Sequence, residues 1–238
     1  MTSTSGRPVA LVTGSTGGMG RCIVADLAAT HDVVALGRNA DVLAELEQLD
    51  GVVAHAVDIT DDTALAGVVG ALGRLDVLLH VAAISVPHTV ADATPQQWRE
   101  HFETNVFAPA ELTRLGLPLL RESQGTVIFI GSGASTKPAP GNAVYTASKH
   151  ALQGMADTLR IDEATTGVRV STIAPGPTDS GMLRAMQAKT EDGYEADHYI
   201  RPATIAAAVR YVVDAPPDAQ LTDVAVRPRI ELALRKDR

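Results

Sequence analysis

Short apolar runs alternate with longer stretches whose apolar residues recur at helical spacing, from one end of the chain to the other. The runs PVALV (8–12), DVVAL (32–36), GVVAHA (51–56), DVLLHVA (76–82), TVIFI (126–130), VRVSTI (168–173) and DVAV (223–226) are rich in β-branched residues and predict strands. Helical patterns fill 18–30, 40–49, 61–72, 95–116, 143–165 and 202–214. The strands are almost continuously apolar, the pattern of strands covered on both faces. Strand and helix alternating in this way predict an α/β fold, with a doubly wound, parallel, seven-stranded sheet between two helical layers. No Pro/Gly/Ser linker, composition shift or internal repeat divides residues 1–238, so a single domain is expected. In such sheets ligands bind outside the carboxyl ends of the strands.

Composition narrows the choice of function. The chain has 238 residues, 45% hydrophobic and 20% charged, which describes a globular protein with a sizeable core. Its longest apolar runs, VLLHVAAI and TVIFI, fall far short of the roughly 18 residues that a membrane span requires, so no membrane association is expected. The start MTSTSGRPVALVTG lacks the features of a secretory signal, which predicts a cytoplasmic location. The single cysteine, Cys22, excludes an internal disulfide and reads as a small apolar helix residue. A net charge of -8 without a basic stripe argues against nucleic acid as a partner. The seven histidines are scattered and no HExxH occurs, so no metal site is expected.

Two local patterns carry candidate chemistry. The stretch ALVTGSTGGMGRCIVADLA joins the first strand to a helix through Gly14, Gly17, Gly18 and Gly20. Glycines permit a tight turn and close approach of a pyrophosphate, and the helix start offers free N–H groups to it, so this turn predicts dinucleotide binding. The second strand ends at Gly37 and Arg38, where an NAD-binding fold would place an acid to hold the ribose 2′-OH. An arginine there suits a 2′-phosphate, so NADP(H) is the preferred cofactor and NAD(H) the alternative. In AVYTASKHAL, Tyr145 and Lys149 are one helical turn apart and share a face. By itself that pair is more often the mark of a snorkelling lysine beside a half-buried tyrosine.

Together these motifs make the chain resemble the short-chain dehydrogenase/reductase family, a Rossmann-type fold, in its compact form. Thr13, Gly14, Gly18 and Gly20 match the family's TGxxxGxG, and Tyr145 with Lys149 matches its YxxxK. Ser132 precedes Tyr145 by 13 residues and Asn105 precedes Ser132 by 27, the places of the family's remaining active-site positions. The resemblance implies a catalytic tetrad of Asn105, Ser132, Tyr145 and Lys149. It also implies cofactor contacts from the turn (Gly14, Ser15, Thr16, Gly18, Met19, Gly20), from Arg38, Asp58, Ile59 and Ala82, from Tyr145 and Lys149, and from Pro175, Gly176, Thr178 and Ser180. One departure is plain: the family's NNAG is His80-Val81-Ala82-Ala83 here, and His80 reads as a hydrogen-bonded structural replacement for asparagine. The turn also fits the TGxxGxxG of longer sugar-nucleotide epimerases, but the 89 residues after Lys149 complete the sheet without a separate sugar-nucleotide domain.

The implied activity is hydride transfer between NADP(H) and a small ketone or aldehyde, interconverted with an alcohol. A free tyrosine has a pKa near 10, and the expectation is that Lys149 lowers it so that Tyr145 exchanges the proton. Ser132 is expected to hydrogen-bond the carbonyl oxygen, and Asn105 to anchor a water that links Lys149 to solvent. The segments 85–95, 133–142 and 181–202 should border the substrate, with Met182, Leu183 and Met186 making 181–202 a candidate lid. Helices 95–116 and 143–165 resemble the family's oligomer-forming pair, which predicts a homodimer or homotetramer. Two rival readings are a non-catalytic dinucleotide sensor and an isomerase or dehydratase that uses the same Tyr and Lys.

Overall fold

The computed structural model describes residues 6–187 and 194–231. The strands are β1 (Val9–Val12), β2 (Asp32–Gly37), β3 (Val52–Ala56), β4 (Val77–His80), β5 (Thr126–Ile130), β6 (Arg169–Pro175) and β7 (Asp223–Val226). They form one parallel sheet in the order β3-β2-β1-β4-β5-β6-β7. The order reverses between β1 and β4, which places a crevice outside their carboxyl ends. This is the Rossmann-type α/β architecture that the alternation predicts.

Side chains on neighbouring strand positions go to opposite layers, as the pleat requires. Ala10 and Val12 of β1 join Ile23, Val24 and Leu27 of α1 (Gly18–Leu27), Leu46 of α2 (Ala40–Leu46), and Ala206, Val209 and Val212 of α8 (Pro202–Val213). Val9 and Leu11 face the other way. They meet Leu65 and Val69 of α3 (Asp62–Gly70), Leu112 and Leu120 of α5 (Ala108–Ser123), and Leu152 and Ala156 of α6 (Ala143–Asp162). The central strands are thus buried on both sides, which explains their lack of polar alternation.

The helix expected over 95–116 is two helices joined by a wider turn. Helix α4 (Pro95–Phe102) starts with a capping box, in which Thr94 and Gln97 bond each other's backbone N–H. Residues Glu103–Phe107 then form a π turn, closed by the N–H of Ala108 bonding to Glu103 O five residues back. Helix α5 continues to Ser123 through Pro118, where the pattern suggested an end. Pro118 is exposed, so the carbonyl it deprives of a partner can bond water, while buried Leu112, Gly116 and Leu120 hold the opposite face. Strand β4 is shorter than expected and β6 longer, because Ala174 and Pro175 pair with Ala225 and Val226.

His80 ends β4 as a structural residue. It is 3% exposed, its Nε2 lies 2.9 Å from the Thr113 hydroxyl on α5, and its ring stacks on Phe129 of β5 at 4.7 Å. Burial lowers its pKa from 6.5 to about 3, so it is neutral at physiological pH. The unfolded chain binds this proton between the two values and the folded chain does not, so the His80 contribution to stability falls as pH drops below 6.5. The wild type should therefore lose about 2 kcal/mol more than His80→Asn between pH 7 and pH 5. Urea denaturation at the two pH values checks this; equal losses in the two proteins would show that the ring is protonated without cost.

Candidate functional site

The turn between β1 and α1 is built around a backbone-to-backbone approach. Thr13 is buried, and its hydroxyl donates to Leu79 O (3.3 Å) and accepts from the N–H groups of Val81 (3.0 Å) and Ala82 (3.2 Å). That ties the end of β1 to the segment after β4. Gly14 has φ +66°, and a Cβ there would lie 2.7 Å from Ala82 N, so glycine is required both for the conformation and for the space. A Cβ on Gly20 would fall 2.1 Å from Gly14 O, so the first turn of α1 sits directly against the loop. The segment His80-Val81-Ala82-Ala83 therefore keeps its backbone against the glycine turn despite losing both asparagines.

A cleft of about 560 Å³ opens along this turn. Of the residues expected at the cofactor, Gly14, Thr16, Gly18, Met19, Gly20, Arg38, Asp58, Ile59, Ala82 and Ser180 line it. Ser15 does not: it is fully buried, its N–H donates to Leu36 O (2.9 Å) and its hydroxyl to Val12 O (2.8 Å), so it braces the turn from behind. At the far end of β2, a Cβ on Gly37 would come within 2.5 Å of Thr16 Cγ2, which leaves no room for an acidic side chain. The next residue, Arg38, is 75% exposed and reaches Asp58 at 3.9 Å. An ion pair this exposed holds its partners weakly, leaving the guanidinium available. Asp58 accepts from the Thr60 N–H (3.0 Å) and hydroxyl (2.9 Å), and these bonds, with a smaller effect of Arg38, hold its pKa below the ordinary value. Both occupy Oδ1, so Oδ2 is turned toward Arg38.

The four residues of the expected tetrad lie next to one another but outside the lining of this cleft. Ser132 follows β5, and Tyr145 and Lys149 are on α6. The Ser132 side chain hydrogen-bonds the Tyr145 phenol and also accepts from the Ala134 N–H at 3.1 Å. Lys149 is 2% exposed, and its Nζ donates to Ile130 O at 2.9 Å. Burial lowers its pKa from 10.5 to about 8, so it is mainly charged at pH 7.

Two expectations for the tetrad change here. Burial raises the Tyr145 pKa above its ordinary value and the bond from Ser132 opposes this only in part, so the phenol is protonated at neutral pH. Burial outweighs any pull from the Lys149 ammonium, which is bonded to the end of β5 and lies 5.8 Å from the centre of the tyrosine ring. Asn105, in the π turn, is also differently engaged. Its Oδ1 accepts from Ile84 N (2.9 Å), and its Nδ2 donates to Ile84 O (2.9 Å) and to the Ser148 hydroxyl (3.0 Å). Both amide hydrogens are used, so this side chain clamps the strand-four loop to α6 rather than reaching toward Lys149.

Beyond β6, Pro175 and Gly176 pair with the end of β7, and the buried Thr178 hydroxyl donates back to Gly176 O at 2.9 Å. Ser180 accepts from Leu183 N at 3.3 Å where α7 (Gly181–Gln187) begins. Of the candidate lid, Met182 lines the cleft, and Arg184 and the Tyr194 hydroxyl both bond Asp179. The Met186 side chain and residues 188–193 lie outside the described residues. Glu100, Glu103 and Thr104 also line the cleft and were missed. Their spacing of three and four residues on the helix leading to Asn105 was the available signal.

Residues 8–191 match the family described as short chain dehydrogenase. The chain belongs to the short-chain dehydrogenase/reductase family of oxidoreductases. Within this family, a crystal structure from Corynebacterium glutamicum is 40% identical, superposes with a TM-score of 0.73 and covers 93% of this chain and all 100% of that one. The bovine dehydrogenase/reductase SDR family member 7B is 35% identical over 78% of this chain, but the match spans only 62% of the bovine protein. A serine dehydrogenase in complex with NADP+ is 26% identical, with a TM-score of 0.81 and coverage of 92% of this chain and 94% of that one. No helix among the described residues is long and apolar enough to cross a membrane.

The Lys149 shift has a consequence for stability. Burying its charge costs about 3 kcal/mol at pH 7, since the unfolded chain holds the same proton with a pKa near 10.5. Lys149→Met should stabilise the fold by about 1–3 kcal/mol at pH 7. That gain should shrink as pH rises from 8 through 10.5, where the wild-type lysine becomes neutral in both states. Chemical denaturation across this range tests it, and a destabilised Lys149→Met protein would contradict the burial cost.

Proposed function

We propose that this protein is an NADP(H)-dependent oxidoreductase that interconverts a ketone or aldehyde with an alcohol, with Tyr145 exchanging the proton. The observation that carries this reading is the Tyr145 phenol, hydrogen-bonded by Ser132 and one helical turn from a buried lysine, beside a glycine-lined cleft.

The chain's residues fit a dinucleotide. Gly14, Gly17, Gly18, Gly20 and Gly37 line the cleft with bare backbone, and the positive end of α1 begins there at Gly18. Thr16, Gly18 and Met19 would border the pyrophosphate, Asp58 Oδ2 the adenine amino group, and Ile59 and Ala82 the faces of the adenosine. Arg38 would take the 2′-phosphate, and Pro175, Gly176, Thr178 and Ser180 would border the nicotinamide. A nicotinamide dinucleotide held there supplies the hydride. The NADP+ complex of the serine dehydrogenase relative supports the choice of phosphate-bearing cofactor.

The protein's own part is proton transfer. A phenol that keeps its proton at neutral pH is suited to donate it to a carbonyl oxygen as negative charge develops there. Ser132, beside that phenol, would turn its one O–H from the phenol to the same carbonyl oxygen when a substrate is present. Lys149 keeps a positive charge under the site, and Asn105 fixes α6 against the Ile84 loop so that Tyr145 and Lys149 stay in place. The cleft and the helix that carries the proton donor both rest on one sheet, which supports reading 1–238 as a single domain. Phe107 (53% exposed) and Ile161 (73% exposed), on the helices named for oligomer formation, support a homo-oligomer, and we infer a cytoplasmic location.

A spectrophotometric screen of carbonyl compounds with NADPH and NADH tests the reading. Tyr145→Phe should lose about 10²–10⁴-fold in kcat while still binding NADPH; near-normal turnover would overturn it. Arg38→Ala should cut the NADPH-over-NADH preference by at least about tenfold, by loss of charge-assisted bonds to the 2′-phosphate. Reductive kcat/KM should hold up to about pH 8 and decline above it as Lys149 loses its proton, and Lys149→Arg should move that decline upward.

A further inference from the structure

We propose that Arg227 makes this a site for carbonyl substrates that carry a carboxylate, and that Glu231 occupies the carboxylate's place until such a substrate displaces it. This rests on the oxidoreductase reading above for the identity of the reacting group. Arg227 directly follows β7, and its guanidinium folds back across the carboxyl ends of β6 and β5. A Cβ on Gly176 would lie 3.2 Å from Arg227 Nη1 and 3.3 Å from its Cζ, and a Cβ on Gly133 would lie 2.9 Å from Nη1. The cation therefore rests over the backbone beside Ser132 and over the segment assigned to the nicotinamide. A Cβ on Gly176 would also lie 2.9 Å from Pro228 Cδ, so the segment after β7 is seated directly on that glycine.

The guanidinium already displays carboxylate recognition. Arg227 Nε donates to Glu231 Oε1 at 2.9 Å and Nη2 to Oε2 at 2.7 Å, the parallel two-bond geometry of an arginine–carboxylate pair. Nη1, which faces the two glycines, makes no hydrogen bond among the described residues. Lys137, on the loop after Ser132, adds a second positive charge felt by Glu231, and both cations hold its carboxyl below the ordinary pKa. Two cations thus act on one carboxylate, beside the Ser132 and Gly176 segments, in a chain whose net charge is -8. The pair is about half exposed on both sides (45% and 43%), so it contributes little to stability and exchange is inexpensive. A substrate carboxylate at the same place would meet the same fork, with its carbonyl directed toward Ser132 and Tyr145.

The test compares 3-oxo acids of four to eight carbons with their methyl esters in cofactor-oxidation assays, alongside calorimetric titration of butyrate into the NADP-loaded protein. The wild type should favour the acids, and Arg227→Gln should lower the acid-to-ester ratio of kcat/KM by at least about tenfold, through KM, with Arg227→Lys intermediate. Glu231→Gln should do the opposite, lowering the acid KM and tightening butyrate binding, because the internal competitor is gone. Equal use of acids and esters by the wild type, or no change of the ratio in Arg227→Gln, would overturn the proposal. So would butyrate binding unaltered or weakened by Glu231→Gln. Absence of turnover with every acid and ester would count against the oxidoreductase reading alone, and the butyrate titrations would still decide the role of Arg227.

Discussion

The contact on which the site depends is made between backbones: Gly14, at the end of β1, lies against Ala82, beyond β4, with the Thr13 hydroxyl accepting from the N–H groups of Val81 and Ala82. These two strands flank the point where the sheet order reverses, so their approach fixes the floor of the crevice. The first turn of α1 is seated on Gly14 O through Gly20, and β2 is linked to the turn through Ser15 N–H and Leu36 O. The position of each cleft-lining group at this end follows from that single approach. Side chains carry little of it, which is how His80 and Val81 replace two asparagines without moving the wall.

Charge is handled differently in the two halves of the site. Arg38 and Asp58 are exposed and weakly paired, a setting in which a cation stays free to engage an incoming anion. Lys149 and Tyr145 are held out of water, where one loses affinity for its proton and the other gains it. The two values move apart, so the phenol holds its proton while the ammonium is the readier of the two to give one up. The fold tolerates a buried ammonium at a cost in stability, and Nζ donates to the last carbonyl of β5.

Most of the architecture was legible because it rests on strand burial and helical spacing, and both are one-dimensional patterns. The seven strands and their parallel order follow from continuous apolar runs separated by helices. The glycine turn was legible because its constraints are absolute: no other residue fits at Gly14 or Gly20. What was not legible depends on direction. Sequence places Lys149 one turn from Tyr145 but does not say that its amine points to Ile130 O. It marks Asn105 but hides the side chain's two hydrogen bonds to Ile84, and it shows Glu100, Glu103 and Thr104 without the cleft they border. Arg227 and Glu231 form an ordinary i,i+4 pair in sequence, and only the placement of β7 brings them near Ser132.

The π turn at Glu103–Phe107 sets the helix's phase as well as its local width. One additional residue per turn rotates α5 by about 100° relative to a straight continuation of α4, and that rotation faces Asn105 toward Ile84 while Thr113 faces His80. The length of this segment is therefore as constrained as its composition. A substitution within the segment leaves that phase unchanged, yet the loss of one residue would turn the whole second helix out of phase with the sheet beneath it.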